Sequence, residues 1–190
     1  MKYYFLLILL YFLTFFHPTY SHELFGHLPQ DIINKFESHN YNETDVWILH
    51  PYYLLNDTAK RIVIKLMDDT SQIVQFYSIG ITALETPIKN ENIKKELYQK
   101  LIVFVKSNNY RIRAQAAKSL GENHFKEAIP ILIEMLNDSS PHVREYSVYA
   151  LRMMPTKKAL KKIKDMSKTE KNKYIKREIE GYLWYYKDSR

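Results

Sequence analysis

The second half of this chain repeats itself, and that repeat limits the folds open to the chain. Residues 109–120 align with residues 140–151 at a shift of 31 positions, which superimposes Leu120 on Leu151. The same shift aligns the apolar stretch that follows each of these segments with its counterpart. One register that matches two successive stretches indicates a repeated structural unit of about 31 residues.

Each copy carries the apolar spacing of a helix. Ile112, Ala116 and Leu120 fall at i, i+4 and i+8, on one stripe of an α-helix, and the other copies keep this spacing. Pro141 suits the first turn of a helix, and Gly121 is predicted to end one in a left-handed conformation. Each unit is therefore predicted to be two helices joined by a short turn. Stacking of units would bury the apolar face that a single unit leaves exposed.

These residues resemble HEAT repeats. The run 121–136 is similar to the short HEAT-like repeat first described in phycobilisome lyases. The resemblance implies an all-α fold, a short right-handed α-solenoid of HEAT-like helical hairpins. It also implies a structural ladder of Asp and Arg side chains between neighbouring units, which falls here on Asp138, Arg113 and Arg144. We divide the repeat region, residues 69–190, into copies at about 69–106, 107–137, 138–168 and 172–187.

The chain begins with an apolar run that is typical of an export signal. Lys2 precedes an almost unbroken apolar stretch over residues 5–16, which is shorter than the ~20 residues of a membrane span. We expect residues 1–21 to be a signal peptide cleaved after Ser21, and the mature protein to be periplasmic or secreted. An uncleaved membrane anchor is the alternative. Residues 22–68 are predicted to form an N-terminal helical cap on the repeats.

Positive charge is concentrated in the repeats. The chain carries a net charge of +7, and residues 107–190 hold 18 basic against 10 acidic residues. One predicted second helix has lysines along one side and apolar residues along the other, and the family resemblance implies that second helices line the concave surface. We predict that this basic surface binds an acidic protein partner. A solvated face without a partner is the alternative. The lysines are Lys157, Lys158, Lys161, Lys162, Lys164 and Lys168.

Lysines can also bind anionic partners other than a protein. An anionic membrane surface is one, which would make the protein a membrane-surface adaptor held by its N-terminus and its basic face. Nucleic acid is disfavoured, because the chain carries an export signal and the lysine run lacks interleaved aromatic residues on which bases could stack.

Aromatic residues cluster near the end of the chain. Tyr182, Trp184 and Tyr185 are predicted to anchor the partner, since Tyr and Trp rings combine an apolar body with a polar tip. The alternative is that these rings fill the seams between helices.

Signatures of catalysis and of cofactors are missing from the sequence. The chain has no Cys, which excludes disulfides and thiolate chemistry, and its four Gly form no phosphate-binding loop. We therefore predict a non-catalytic protein without a cofactor. His22 and His27 are the remaining metal candidates, although their i, i+5 spacing misses the i, i+4 pattern of helical zinc sites. An N-terminal His22 that chelates copper would make the chain a metal-binding protein or enzyme, which is the alternative function.

Overall fold

The computed structural model describes residues 27–83 and 88–187, and all regular structure in these two ranges is helical. The predicted all-α class is therefore confirmed. The predicted signal peptide, residues 1–21, lies outside the described residues, as does His22. Within the described ranges, no helix combines the length and the apolar character that crossing a membrane requires.

The chain divides into two units, residues 1–81 and residues 82–190. The described part of the first unit contains short helices and a 3-10 segment, Glu43–Leu49, whose first turn is capped by the Asn42 side chain. Val63 and Ile64 are fully buried in its core. Its α-helices are α1 (Gln30–Glu37), α2 (His50–Tyr53), α3 (Asp57–Leu66) and α4 (Gln72–Thr82), the last of which ends at the first residue of the second unit.

The described part of the second unit consists of helices from successive copies of the repeat. Its helices are α5 (Glu91–Phe104), α6 (Tyr110–Glu122), α7 (Ile129–Met135), α8 (Pro141–Met153), α9 (Lys157–Ser167) and α10 (Lys173–Lys187). Helices α6, α8 and α10 are the first helices of three copies, and α7 and α9 are second helices. Asn90, Asn109 and Thr156 cap α5, α6 and α9 with side-chain oxygens that accept backbone N–H groups.

The first helices bury the stripe that the sequence predicts. Ile112, Ala116 and Leu120 of α6 are at most 1% exposed. The corresponding positions of the next two first helices are also buried, namely Val143, Ser147 and Leu151 in α8 and Ile175 and Ile179 in α10. Burial of one large aliphatic side chain stabilises a fold by roughly 1.5–3 kcal/mol. Burial of this seam therefore stabilises the second unit.

Gly121 has a different role from the one predicted. Helix α6 continues through Gly121 to Glu122, and the residue with a left-handed backbone is His124, at φ 53°. A Cβ atom at position 121 would lie 2.5 Å from the Cα atom of Ala150 in α8, which is far inside van der Waals contact. Gly121 is therefore needed for the close approach of α6 and α8 and not for ending a helix.

Candidate functional site

The six predicted lysines lie on the solvent side of α9, and we call them the lysine face. The helix begins after Thr156, whose hydroxyl accepts the backbone N–H of Ala159 at 3.1 Å. Ala159 and Ile163 are completely buried and fix which side of α9 faces the protein. The opposite side is thereby exposed at every lysine of the set, which comprises Lys157, Lys158, Lys161, Lys162, Lys164 and Lys168.

Carboxylates neutralise little of this charge. Lys168 forms an exposed ion pair with Asp165 at 3.0 Å, and the other five lysines form no ion pair within the part of the chain that the structure describes. The hydrogen bond and the charge of Lys168 hold the pKa of Asp165 below its ordinary value, and the charges of Lys161 and Lys162 lower it further. The lysine face therefore has a positive potential that an incoming anion would experience.

An open groove of about 520 Å³ borders the lysine face. Lys162 and Lys171 line it together with Ile133, Leu136 and Met166. Three carboxylates line it as well, each paired with an arginine or a lysine, namely Asp138, Asp165 and Glu170. Charged groups beside an apolar surface suit a peptide that carries both acidic and apolar side chains. The groove thus extends the candidate site from α9 to the end of α7.

Two arginines link successive copies, and one of them, Arg144, also lines the groove. Arg113 forms a bidentate pair with Asp138, in which its Nε and Nη2 atoms each lie 2.8 Å from a carboxylate oxygen. Arg144 forms the equivalent pair with Glu170, at 2.8 and 3.0 Å. Each arginine comes from a first helix, and each acidic residue precedes the first helix of the next copy. The ladder implied by the family resemblance is therefore present for Arg113 and Asp138.

Glu170 is the ladder residue that the sequence reasoning missed. Arg144 reaches Asp138 only at its backbone carbonyl, at 2.9 Å, and its carboxylate partner is Glu170. The side chain of Glu170 is 3% exposed and also accepts the backbone N–H groups of Lys171 and Asn172. A shift of 32 positions from Asp138 leads to Glu170, so the repeat register contained this signal.

The ladder carboxyls are more acidic than free ones. The hydrogen bond from Arg144 is the main cause that lowers the pKa of Glu170 below its ordinary 4.5. Burial alone would raise the pKa of Asp138, but hydrogen bonds from Arg113 and from the backbone of Ser140 outweigh it and lower the pKa below 3.8. Both carboxylates therefore stabilise the folded state at neutral pH.

We expect Glu170→Gln to flatten the acid limb of the stability curve. Because folding lowers the pKa of Glu170, its contribution is complete above the ordinary value of 4.5 and is lost as the pH falls through the lower value of the folded state. Denaturant unfolding between neutral pH and about pH 3 measures this. Glu134→Gln, at an exposed glutamate of α7, is the control. The assignment is contradicted if the free energy of unfolding falls equally steeply below pH 4.5 in the unmodified protein, in Glu170→Gln and in Glu134→Gln.

The three predicted aromatic anchors do not form one surface. Tyr182 is 0% exposed and its ring contacts the ring of Tyr186, so its inclusion in the binding set is wrong. Its position on the inner stripe of α10 is the reason. Trp184 is 70% exposed on the opposite side of the same helix. The side chain of Tyr185 lies outside the described part of the structure.

The histidines provide no metal centre in the described ranges. His27 is exposed, and those ranges contain no group of three or more His, Cys, Asp or Glu side chains that could hold a metal ion. The His22 hypothesis falls on residues that the structure does not describe.

Stacked two-helix units joined by an arginine–carboxylate ladder define a helical solenoid repeat protein. Residues 98–183 match the family model for HEAT repeats. The resemblance stated from the sequence is thus confirmed. A comparison with curated proteins finds no match.

Three solved structures with a similar fold are engineered or designed proteins. The crystal structure of an engineered protein, a structural genomics target, has 16% identity and a TM-score of 0.52 over 77% of this chain and 73% of that chain. A designed armadillo repeat protein, YIII(Dq)4CqI, has 15% identity and a TM-score of 0.50 over 74% of each chain. A second designed armadillo repeat protein, in complex with the peptide (KR)4, has 14% identity and a TM-score of 0.50 over 86% of this chain and 79% of that one. These likenesses establish the solenoid fold.

Proposed function

We propose that the chain is a non-catalytic scaffold that binds an acidic segment of a protein partner at the lysine face. The observation that carries the proposal is the set of five exposed lysines that lack a carboxylate partner among the described residues. Long, flexible and strongly hydrated lysines attract anions without the fixed geometry that a catalytic site needs. The repeat solenoid fold is also typical of protein-interaction scaffolds.

The groove beside the lysine face indicates that the partner also carries an apolar side chain. Ile133 and Leu136 line the groove together with Lys162. An acidic peptide with an apolar side chain would pair its carboxylates with the lysines and bury the apolar group in the groove. In the designed armadillo complex the named peptide, (KR)4, is basic. The charge of the lysine face favours a peptide of opposite sign.

We further propose that the protein acts outside the cytoplasm. The apolar run over residues 5–16 behind Lys2 supports export. The location of the lysine face on a concave surface stays a prediction, because it rests on the family resemblance.

Charge reversal on the lysine face is the direct test. We expect Lys161→Glu with Lys164→Glu to weaken binding of a fluorescent oligoglutamate peptide about tenfold or more, because two attractions become repulsions. Fluorescence anisotropy measures the affinity at several salt concentrations. The affinity of the unmodified protein should fall as salt rises, since exposed charges are screened.

A matched variant separates the site from net charge. Lys95→Glu with Lys126→Glu makes the same change in net charge at two exposed lysines outside α9, and it should bind nearly as well as the unmodified protein. If both double variants lose the same amount of peptide affinity, the effect comes from overall charge, and the proposed site is overturned. Binding to vesicles that contain anionic lipid, without binding to the peptide, would favour the membrane surface and would also overturn it.

A further inference from the structure

The outer side of α10 carries a set of exposed side chains that the core does not use. We call it the outer face of α10 and define it by Lys173, Arg177, Glu180 and Trp184, all of which are exposed. Trp184 has the highest exposure, 70%, among the large apolar side chains that the structure describes. The buried residue Tyr182 lies about 160° away around the helix, so Trp184 contributes nothing to the seam with α8.

Two charged side chains on this face also lack an ion-pair partner among the described residues. Arg177 and Glu180 form no ion pair within the described residues, whereas the neighbouring Glu178 pairs with Arg152 at 3.4 Å. The Nζ atom of Lys173 lies 5.2 Å from the ring centroid of Tyr174. Two cations, an anion and a large aromatic ring therefore follow one another along one exposed helix face.

These four residues are symmetric about a single point of the helix. Arg177 and Glu180 lie equally far from the point midway between residues 178 and 179, and so do Lys173 and Trp184. A two-fold axis through that point would bring two copies of α10 together in antiparallel orientation. Arg177 of each copy would then face Glu180 of the other, and Lys173 would face the ring of Trp184.

We propose that two copies of this chain associate through the outer faces of α10, as an antiparallel, two-fold symmetric helix pair. The arrangement forms two ion pairs and two cation–π contacts, and it covers both exposed Trp184 rings. A parallel pair would instead place Arg177 against Arg177 and Glu180 against Glu180. Charge complementarity therefore selects a second copy in one orientation.

The size of this contact predicts a weak dimer. One face of a 15-residue helix covers less area than the ~800 Å² per partner of a standard interface. Because none of the lysines of the lysine face is among the contact residues on α10, the dimer would carry two such faces. A partner with two acidic segments would then bind with avidity, which a monomer cannot provide.

Reciprocal charge reversals test the pairing. Arg177→Glu alone and Glu180→Arg alone should each be monomeric in sedimentation velocity at concentrations where the unmodified protein associates, up to about 1 mM. An equimolar mixture of the two variants should associate again, because each ion pair then joins opposite charges. Recovery in the mixture also demonstrates that both variants are folded.

Lys95→Glu, which makes the same change in net charge as Arg177→Glu at an exposed lysine of α5, should associate like the unmodified protein. The proposal is overturned if the unmodified protein stays monomeric over the whole concentration range. It is equally overturned if the mixture of variants stays monomeric, or if Lys95→Glu abolishes association as strongly as Arg177→Glu. Association of the unmodified protein that survives both single reversals would assign the contact to another surface.

Discussion

Arg144→Met is expected to lower the free energy of unfolding of the repeat region by about 3 kcal/mol. Glu170 would keep a carboxylate whose side chain is 3% exposed, but it would lose both hydrogen bonds from the guanidinium group. A charge that is buried without a partner is costly, because water cannot solvate it. The backbone carbonyls of Asp138 and Ser139 would lose their donor as well. Equilibrium unfolding in denaturant, followed by circular dichroism, measures the change.

Arg152→Met is the matched control, since Arg152 lies on the same helix and also forms an ion pair. Its pair with Glu178 is longer, 3.4 Å, and both side chains are at least one third exposed. Its guanidinium group lies 5.1 Å from the ring centroid of Tyr149, a contact worth about 0.5–1 kcal/mol. We expect Arg152→Met to cost about 1 kcal/mol. Equal losses at the two arginines would contradict the structural role of Arg144.

A second variant distinguishes two causes of the stability loss in Arg144→Met, a buried carboxylate without a partner and the lost packing of the arginine side chain. The double variant Arg144→Met with Glu170→Gln should be more stable than Arg144→Met alone, because the neutral amide leaves no buried charge without a partner. The amide oxygen of Gln can still accept the backbone N–H groups of Lys171 and Asn172, which Glu170 accepts at 2.9 and 2.8 Å. A double variant that is less stable than Arg144→Met would show that packing of the arginine side chain dominates.

The helical architecture was predictable because it depends on local spacing and on the repeat. Ile112, Ala116 and Leu120 recur with one register in the next copy, and both stripes are buried in the structure. The upstream copy is an exception, because Ile73 is 46% exposed and its neighbour Val74 is buried instead. The lysine face was predictable for the same reason. Ala159 and Ile163 occupy one side of a 3.6-residue period and leave the lysines on the other.

The side-chain partners were less predictable, because they depend on which residues meet across copies. The family resemblance predicts Asp138 as a ladder residue. The same role for Glu170 can be predicted only if a glutamate is accepted at the position that holds an aspartate in the preceding copy. Tyr182 and Trp184 are two residues apart, and composition alone treated them alike. Extending the stripe from Ile175 and Ile179 by three residues would have placed Tyr182 inside and Trp184 outside.

Gly121 shows most clearly that local sequence does not reveal contacts between distant residues. A glycine near the end of a helical pattern predicts a left-handed C-terminal cap when only the local sequence is considered. Gly121 fits that rule, yet its backbone is not left-handed. The physical cause is Ala150, which lies 29 positions further along the chain and approaches α6 so closely that a side chain cannot be accommodated.

Gly121→Ala and Gly181→Ala are therefore expected to change stability in opposite directions. At position 121, the new Cβ atom would lie 2.5 Å from the Cα atom and 2.8 Å from the Cβ atom of Ala150, so α6 and α8 must move apart. Overpacking of this kind costs about 1–3 kcal/mol and outweighs the gain from replacing a helical glycine. At position 181 no atom lies within 4 Å of the new Cβ atom. Gly181→Ala should therefore stabilise α10 by about 0.5–1 kcal/mol, because alanine loses less backbone entropy in a helix.

Thermal and denaturant unfolding in dilute solution compare the two variants directly. Because both substitutions add the same methyl group to an α-helix, helix propensity cancels between them and the difference reports the contact with Ala150 alone. We expect a difference of about 1–3 kcal/mol in the free energy of unfolding. Gly121→Leu should be more destabilising still, since a larger side chain cannot enter a space that excludes a single carbon. A Gly121→Ala variant that is as stable as Gly181→Ala would show that α6 and α8 do not approach each other this closely in solution.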